Sequence, residues 1–277
     1  MTAKMNNKGF LGALKASQIA AILALLISFL CLSCASNEGV VLDDDEMYHL
    51  AIRKLEEEED AGIAAALVAP KKRKEAKELL DEMLDKYPSS RYAKEAQMRL
   101  ADLWLSEDKF EEAEAEYSTI LRFYPSDKDA EKAMFRLLLT HHRRIRTYDR
   151  DQSPTHKTLK MVDDYRKRYP NGEFTELVAI IEEESIEMLA SHEFYVGRLY
   201  YRQKAYAAAS SRLKGVISDY PDTEAACKAL LYLAKLDVKL ERLDEAIENL
   251  ERLIDEYPGC HSVAAAEGML EELREGR

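Results

Sequence analysis

The sequence predicts an all-α fold, an α-solenoid of about five helical hairpins stacked in a row. Two observations support this prediction. Five of the seven prolines follow a tyrosine, and these five pairs divide the chain into units whose prolines lie 37, 45, 51 and 37 residues apart. Helical sequence precedes each Tyr-Pro pair, and a residue typical of turns or helix caps follows it. The five prolines are Pro88, Pro125, Pro170, Pro221 and Pro258.

Each Tyr-Pro pair predicts the end of one helix. Proline has no backbone N–H and cannot continue a helix, and it forces the tyrosine before it into an extended conformation. The residues after the prolines are suited to turns or N-caps, so we expect them to start the next helix. These residues are Ser89, Ser126, Asn171, Asp222 and Gly259.

Small and large residues inside the units fit the tetratricopeptide (TPR) pattern, which predicts TPR-like hairpins. With the repeat proline set at position 32, positions 8 and 20 hold small residues that allow the two helices of a hairpin to approach closely. Positions 24 and 27 hold large residues that fill the space between hairpins. The small residues are Ala101, Ala113, Gly197, Ala209, Ala234 and Ala246, and the large ones are Tyr117, Ile120, Leu213, Val216, Leu250 and Leu253.

Two units depart from this pattern. The unit that ends at Pro88 keeps Ala76, Leu80 and Met83, but the stretch "EEEEDAGIAAALVAPKKRKE" lengthens its middle and predicts an enlarged loop at 61–74. The unit that ends at Pro170 carries an extra segment, "RIRTYDRDQSP", between its helices. Both units are expected to remain helix pairs with altered connections.

The first 33 residues predict an export signal. They contain three lysines and no acidic residue, followed by an apolar run from Ile19 to Leu32 that ends in "CLSC". Because this run of fourteen residues is shorter than the ~20 needed to cross a bilayer, an anchor helix is the weaker alternative. The ending resembles a lipobox, which implies that residues 1–33 are a signal peptide, that Cys34 is lipidated, and that 34–45 are an acidic linker at the outer membrane.

Composition argues against nucleic-acid binding and against catalysis. The net charge is −12, which would become −15 after loss of the three signal lysines, and a phosphate backbone attracts basic surfaces. The chain has no glycine-rich phosphate loop, no HExxH and no GxSxG motif. His141 and His142 are adjacent, so on a helix they point in different directions and make a poor metal pair. We expect no enzyme activity and no cofactor.

Cys227 and Cys260 are the remaining cysteines of the mature chain, 33 residues apart. This spacing is close to one repeat, so both are expected near the starts of successive first helices. Neighbouring helix axes are ~8–10 Å apart, beyond the ~7 Å that a disulfide allows between Cα atoms. Two free thiols are therefore expected, although an exported protein can form disulfides.

The stretch "SHEFYVGRLYYRQKAYAAASSRLKGVISDYPDT" from Ser191 resembles the fourth-repeat region of the BamD family, outer-membrane lipoproteins of the β-barrel assembly machinery. Other stretches are similar in the same order: "EMYHLAIRKL" at 46–55, "YPSSRYAKEAQMRLADLWL" at 87–105 and "DRDQ" at 149–152. The resemblance covers roughly residues 44 to 265.

This resemblance implies two working halves. N-terminal repeats at 46–130 would receive unfolded outer-membrane protein segments in a groove, 131–190 would form an irregular middle repeat with an insertion, and C-terminal repeats at 191–277 would dock on the barrel-forming, BamA-like subunit. The candidate partner-binding residues are Arg198 and Arg212. The candidate substrate-binding residues are Tyr48, Glu95, Met98, Asp102 and Leu105. An equal alternative for Tyr48 is packing inside the first hairpin.

Two other functions fit less well. A TPR adaptor that couples the Tol-Pal system to wall synthesis would usually have a coiled coil before its repeats and no lipid cysteine. A TPR-decorated wall hydrolase would need a catalytic domain, and the sequence offers no motif for one. The identity of the large membrane protein that co-purifies with the chain would separate the two adaptor functions.

Overall fold

The structure, a computed structural model, describes residues 41–59 and 62–276, and these form eleven helices without a strand. The helices are α1 Asp44–Glu59, α2 Gly62–Lys86, α3 Ala93–Ser106, α4 Phe110–Phe123, α5 Ala130–His142, α6 Ser153–Arg168, α7 Thr175–Arg202, α8 Tyr206–Asp219, α9 Glu224–Lys239, α10 Leu243–Glu256 and α11 Val263–Glu275. The predicted all-α class is confirmed.

The helices pair into five hairpins: α1 with α2, α3 with α4, α5 with α6, α7 with α8, and α9 with α10. The second helix of each hairpin packs on the first helix of the next, and α11 covers the end of α10. First helices also contact one another, as α3 contacts α5, α5 contacts α7 and α7 contacts α9. Each hairpin thus packs mainly on its neighbours, which is the arrangement of a solenoid.

The Tyr-Pro pairs end helices as predicted. The tyrosine of each pair follows a helix, and its N–H donates a last hydrogen bond to the carbonyl four residues earlier, at 2.8–3.0 Å. The residue after the proline, however, lies in a turn and does not cap the next helix, which begins a few residues further along. Among the five helices that follow a Tyr-Pro pair, only α9 has a side-chain cap, where the Thr223 hydroxyl accepts from the Ala226 N–H at 3.2 Å. The prediction of caps directly after the prolines is wrong because the turn needs those residues.

The predicted small and large positions form the core. The alanines at positions 8 and 20 are fully buried, and so are the large residues at 24 and 27. Gly197 shows how tight this packing is: a Cβ atom there would lie 2.9 Å from Leu213 Cδ2. Close approach of α7 and α8 therefore depends on the absence of a side chain at 197.

The turns inside three hairpins have a common geometry that the sequence pattern did not reveal. Asp108, Lys204 and Glu241 all adopt the left-handed conformation, with φ of 57°, 61° and 59°. The N–H of the residue after each one bonds to the carbonyl five residues earlier, at 2.9–3.0 Å. This is the Schellman ending of a helix, which usually has glycine at the left-handed position. Without glycine as a signal, the motif could not be read from the residues.

The first hairpin differs from its prediction. Helix α2 runs without interruption from Gly62 to Lys86 and contains Pro70, so the enlarged loop expected at 61–74 is wrong for the described residues from 62 onward. Alanine, leucine and lysine, which dominate this stretch, are strong helix formers that offset the single proline. Ion pairs between the two helices support the extension, including Lys72 Nζ to Glu57 Oε2 at 2.8 Å.

In the third hairpin, the connection between α5 and α6 spans residues 143–152. It contains most of the segment predicted as an insertion. The next helix, α7, has 28 residues, about twice the length of α8 or α10. The first half of α7 packs on the third hairpin through Val178 and Ile181. Its second half packs on the fourth and fifth hairpins through Ala190 and Phe194.

The expectation of two free thiols is wrong, because Cys227 and Cys260 form a disulfide. Cys227 lies near the start of α9, but Cys260 lies in the turn before α11 rather than on a helix. A turn residue can approach the neighbouring helix more closely than two helix axes can approach each other. The Cα atoms are accordingly 6.6 Å apart, within the range for a disulfide.

Candidate functional site

The N-terminal candidate surface centres on an aromatic cluster formed by Tyr48, His49 and Tyr92. The rings of Tyr48 and Tyr92 stack with centroids 4.6 Å apart, and the His49 ring is roughly perpendicular to that of Tyr92, with centroids 5.5 Å apart. Tyr48 is 6% exposed, so the outer side of its ring is covered by Tyr92. This burial favours the packing role for Tyr48. His49 is exposed and Tyr92 is partly exposed, so these two residues form the outer face of the cluster, and the sequence pattern had marked neither of them.

Polar contacts hold Tyr92 in place. Its hydroxyl donates to Asp45 Oδ1 at 2.7 Å, and the Arg91 guanidinium donates to the same oxygen at 2.6 Å. The hydrogen bonds from Tyr92 and Arg91 hold the pKa of Asp45 below its usual value. Burial, together with a hydrogen bond to Glu95, raises the pKa of Tyr48 to about 12. The stacked rings and these hydrogen bonds thus connect the start of α1 with the start of α3, and the tyrosine hydroxyls are uncharged.

The four candidates on α3 do not form one open lining. Met98 and Leu105 are 8% and 3% exposed and pack in the core with Ala133 and Leu137 of α5. The expectation that these two side chains line a groove is therefore not met, because their positions on a first helix face the first helix of the next hairpin. Their burial could have been inferred from the i, i+7 spacing of two apolar residues.

The two polar candidates of α3 are in different surroundings. Asp102 accepts from the Tyr117 hydroxyl at 2.6 Å and lies 3.5 Å from Arg136 Nε, so it links α3 to α4 and α5. Glu95 is exposed at the rim of the aromatic cluster. Of the four, Glu95 has the geometry that a ligand could reach most easily, and a role in substrate binding stays a prediction for both residues.

At the other end, Arg198 and Arg212 lie on facing helices of the fourth hairpin. Arg212 on α8 donates to Glu193 Oε2 of α7 at 2.7 Å, and its side chain is 49% exposed. Arg198 lies over the face of Phe194, with its guanidinium carbon 5.9 Å from the ring centroid. Both cations reach the surface, but the guanidinium of Arg212 already forms an ion pair with Glu193.

Cys34 and the whole signal segment lie outside the described residues, so the lipidation site has no structural account here. Among the helices of residues 41–59 and 62–276, none combines the length and the apolar character that a membrane span requires. The same residues contain no group of three or more histidine, cysteine or acidic side chains placed to hold a metal.

The stacked hairpins define the class of protein: a helical-repeat scaffold built from tetratricopeptide-type units. A tetratricopeptide repeat family matches residues 228–259, which cover most of the fifth hairpin. The YfiO family, described as outer membrane lipoprotein, matches residues 63–242, which run from α2 to the end of α9. The chain belongs to this outer membrane lipoprotein family.

Curated relatives carry the name outer membrane protein assembly factor BamD. The protein from Caulobacter vibrioides is 24% identical over 185 residues, which are 67% of this chain but 61% of the relative. The protein from Vibrio cholerae is 25% identical and covers 65% of this chain and 79% of its own. The protein from Neisseria gonorrhoeae is 22% identical over 66% of this chain and 72% of its own. The match thus spans about three fifths of the Caulobacter protein.

Solved structures of repeat proteins align with most of the chain but only loosely. The TPR2AB domain of yeast Sti1, solved with pHSP90, is 15% identical and has a TM-score of 0.42 over 83% of this chain and 84% of its own. A thermophilic TPR protein from Thermus thermophilus is also 15% identical and has a TM-score of 0.32 over 83% of this chain and 98% of its own.

Proposed function

We propose that this chain is a lipid-anchored periplasmic adaptor of the outer-membrane β-barrel assembly machinery. In this proposal it has no enzymatic activity. Its N-terminal repeats bind segments of unfolded outer-membrane proteins, and its C-terminal repeats dock on the barrel-forming, BamA-like subunit. Cys34 carries the lipid that holds it at the periplasmic face of the outer membrane.

The observation that carries the proposal is the family match across residues 63–242, together with relatives named as BamD assembly factors. The match covers eight of the eleven described helices, from α2 to α9, and therefore includes helices of both proposed halves. A solenoid of this kind presents long surfaces suited to peptides and to other proteins.

The disulfide between Cys227 and Cys260 supports the proposed compartment independently of the N-terminal signal. Disulfides persist in the periplasm and other oxidising compartments and are rare in the cytosol. A chain with a disulfide between its fifth hairpin and its last turn is therefore suited to the periplasmic side of the envelope.

The surfaces of the two halves differ in a way that fits two partners. The N-terminal half offers aromatic rings with a carboxylate at the rim, Tyr92 and Glu95, which suits a peptide that carries aromatic and basic residues. The C-terminal half offers two surface cations, Arg198 and Arg212, which suit an acidic or carbonyl-rich surface.

Two charge-reversal variants, each measured for both interactions, test whether the two halves bind different partners. Glu95→Lys is expected to weaken binding of a peptide from the C-terminal strand of a barrel protein about two- to fivefold, the usual effect of an exposed charge. It should leave binding of the barrel-forming subunit's periplasmic region unchanged. Arg212→Glu is expected to do the reverse. Fluorescence anisotropy measures the first interaction and surface plasmon resonance the second.

Matched controls are available on neighbouring exposed positions. Glu112→Lys on α4 and Lys214→Glu on α8 change the charge by the same amount and should affect neither interaction. If both test variants weaken the same interaction, or if neither weakens any, the proposal of two separate halves is wrong.

A further inference from the structure

A cleft of about 890 Å³ opens in the middle of the chain, between the third and fourth hairpins. We call it the acidic cleft. Its walls come from the middle of α7, from the end of α5 with the connection after it, and from the Tyr-Pro turn between α8 and α9. Its volume is in the range of a ligand-binding pocket. The lining includes His142, Ile145, Tyr148, Ile186, Met188 and Tyr220.

The cleft continues as an exposed apolar face along the first half of α7. Leu177 and Ile180 are 47% and 52% exposed, and they lie two turns and one turn before Glu184 on the same face of the helix. Tyr148, at the mouth of the cleft, is 42% exposed. The described residues expose seven large apolar side chains strongly, and these three are among them. Tyr148 lies against Tyr195 in the second half of α7, so the exposed apolar residues are spread along about 20 Å of the helix and mark an elongated surface, which suits an interaction site.

The reason for this open face is the double use of α7. One side of its first half packs on the third hairpin through Val178 and Ile181, while its second half serves as the first helix of the fourth hairpin. The adjacent strip of its first half, with Leu177 and Ile180, is left to solvent. A helix laid along this face would contact residues 177–191, a length of about 21 Å.

The charge of the cleft is negative. Six carboxylates line it, and none of the described lining residues is lysine or arginine. Four of the six already have polar partners within the chain. Glu182 contacts Arg166 at 2.5 Å, and Glu184 contacts His142 at 3.1 Å. Glu187 accepts from the Glu224 N–H at 2.9 Å, and Asp219 accepts from the Ser218 hydroxyl at 2.7 Å.

The other two carboxylates, Glu183 and Asp222, are exposed and have no ion-pair partner within residues 41–59 and 62–276. They come from α7 and from the turn after α8, so they approach the cleft from two of its walls. A ligand with positive charges flanked by apolar groups would complement both features. An anionic lipid surface or a nucleic acid would be repelled.

We propose that the acidic cleft and the adjoining face of α7 bind a basic amphipathic helix of a partner protein. Its apolar side covers Leu177, Ile180 and Tyr148, and its lysines or arginines reach Glu183 and Asp222. This is the helix-in-groove mode of recognition. The inference rests on the charge and exposure of these residues and does not depend on the functions proposed for the terminal hairpins.

A defined peptide tests the proposal on the full chain. The probe is a 14-residue acetylated helix of leucine and lysine with its leucines on one face, and the comparison probe has glutamate in place of every lysine. Isothermal titration calorimetry should show micromolar binding of the lysine peptide, weaker binding at higher salt, and no binding of the glutamate peptide. Either Ile180→Glu or the double variant Glu183→Lys/Asp222→Lys should weaken binding at least tenfold.

The controls place equal changes elsewhere on the surface. Phe123→Glu alters another strongly exposed apolar residue, and Glu112→Lys/Glu245→Lys alters two other exposed carboxylates. All variants change exposed residues, and circular dichroism checks that each is folded.

The proposal is overturned if the lysine peptide does not bind, if the control variants weaken binding as much as the cleft variants, or if the glutamate peptide binds equally well. It is also overturned if sedimentation shows that the unmodified chain is a dimer and that Ile180→Glu makes it a monomer. In that case a second copy of the chain covers the face.

Discussion

Replacement of Gly197 by alanine tests the close packing on which the hairpin assignment depends. Gly197 lies inside α7, where an alanine would ordinarily favour the helix by about 1 kcal/mol. An added Cβ, however, would lie 2.9 Å from Leu213 Cδ2, 3.0 Å from its Cγ and 3.4 Å from the Arg212 Cβ. Ordinary carbon contacts are ~3.5–4.0 Å, so Leu213 would have to move by roughly 0.5–1 Å.

Leu213 has little room to move, because it is fully buried and packs in the largest core cluster of the C-terminal hairpins. Overpacking of such a site costs about 1–3 kcal/mol. After subtraction of the gain in helix propensity, Gly197→Ala is expected to lower the free energy of unfolding by about 1 kcal/mol. Gly215 of α8 is the matched control, since nothing lies within 4 Å of a Cβ added there. Gly215→Ala should therefore raise the free energy of unfolding by about 0.5–1 kcal/mol.

Urea unfolding followed by circular dichroism at 222 nm measures both variants. The difference between them isolates the packing cost, because both gain the same helix propensity. The double variant Gly197→Ala/Leu213→Val, compared with Leu213→Val alone, should show a smaller cost of the alanine, since the shorter side chain leaves space for it. If Gly197→Ala and Gly215→Ala stabilise the chain equally, the contact between α7 and α8 is looser than the structure indicates.

Three further outcomes are expected. Reduction of the disulfide, or Cys260→Ser, should lower the free energy of unfolding by about 3–4 kcal/mol, since the disulfide joins residues that are 33 apart in the sequence. Urea unfolding with and without reductant measures this decrease. Cys34→Ala should move the protein from the membrane to the soluble fraction on cell fractionation, because acyl chains contribute ~0.8 kcal/mol for each buried methylene. Stability should fall as the pH drops below about 6.5, because burial lowers the pKa of His141 in the folded state and the unfolded chain therefore binds more protons there. His141→Asn should flatten that slope in urea unfolding at pH 5 to 8.

Each outcome has a control. Reductant should not change the free energy of unfolding of the Cys260→Ser variant. If reductant lowers it as much as in the unmodified chain, loss of the disulfide is not the cause of the decrease. Retention of an unacylated Cys34→Ala protein in membranes would contradict the lipid anchor. His156 is exposed, so His156→Asn should leave the pH slope unchanged; if it flattens the slope and His141→Asn does not, the assignment to His141 is wrong.

The sequence predicted the parts of the fold that depend on local chemistry. Proline stops a helix wherever it occurs in a Tyr-Pro pair, and the buried alanines follow from the spacing of small residues. The left-handed turn residues escaped prediction because Lys204 and Glu241 resemble any surface residue. The disulfide escaped because its geometry depends on where the turn that holds Cys260 lies relative to α9, which no spacing specifies.

The candidate site could be predicted only in part for a similar reason. A resemblance selects a helix, but the direction of each side chain depends on the neighbouring hairpins. The resemblance places Met98 and Leu105 in a groove lining, but both are core residues. Tyr92, which covers Tyr48, lies on the turn before α3, where no sequence pattern marks it. The acidic cleft arises because α7 packs on two hairpins. Two other residues of its lining, Tyr148 and Asp222, are separated by more than 70 residues along the chain, so no local pattern connects them.

Affinity capture of the lipidated, full-length protein from detergent-solubilised envelopes tests the role proposed for the chain, that of an adaptor in outer-membrane barrel assembly. Quantitative mass spectrometry should show the barrel-forming subunit enriched in near-stoichiometric amount, with a clear loss for Arg212→Glu and no loss for Lys214→Glu. Enrichment of Tol-Pal components in place of the barrel-forming subunit would contradict the account.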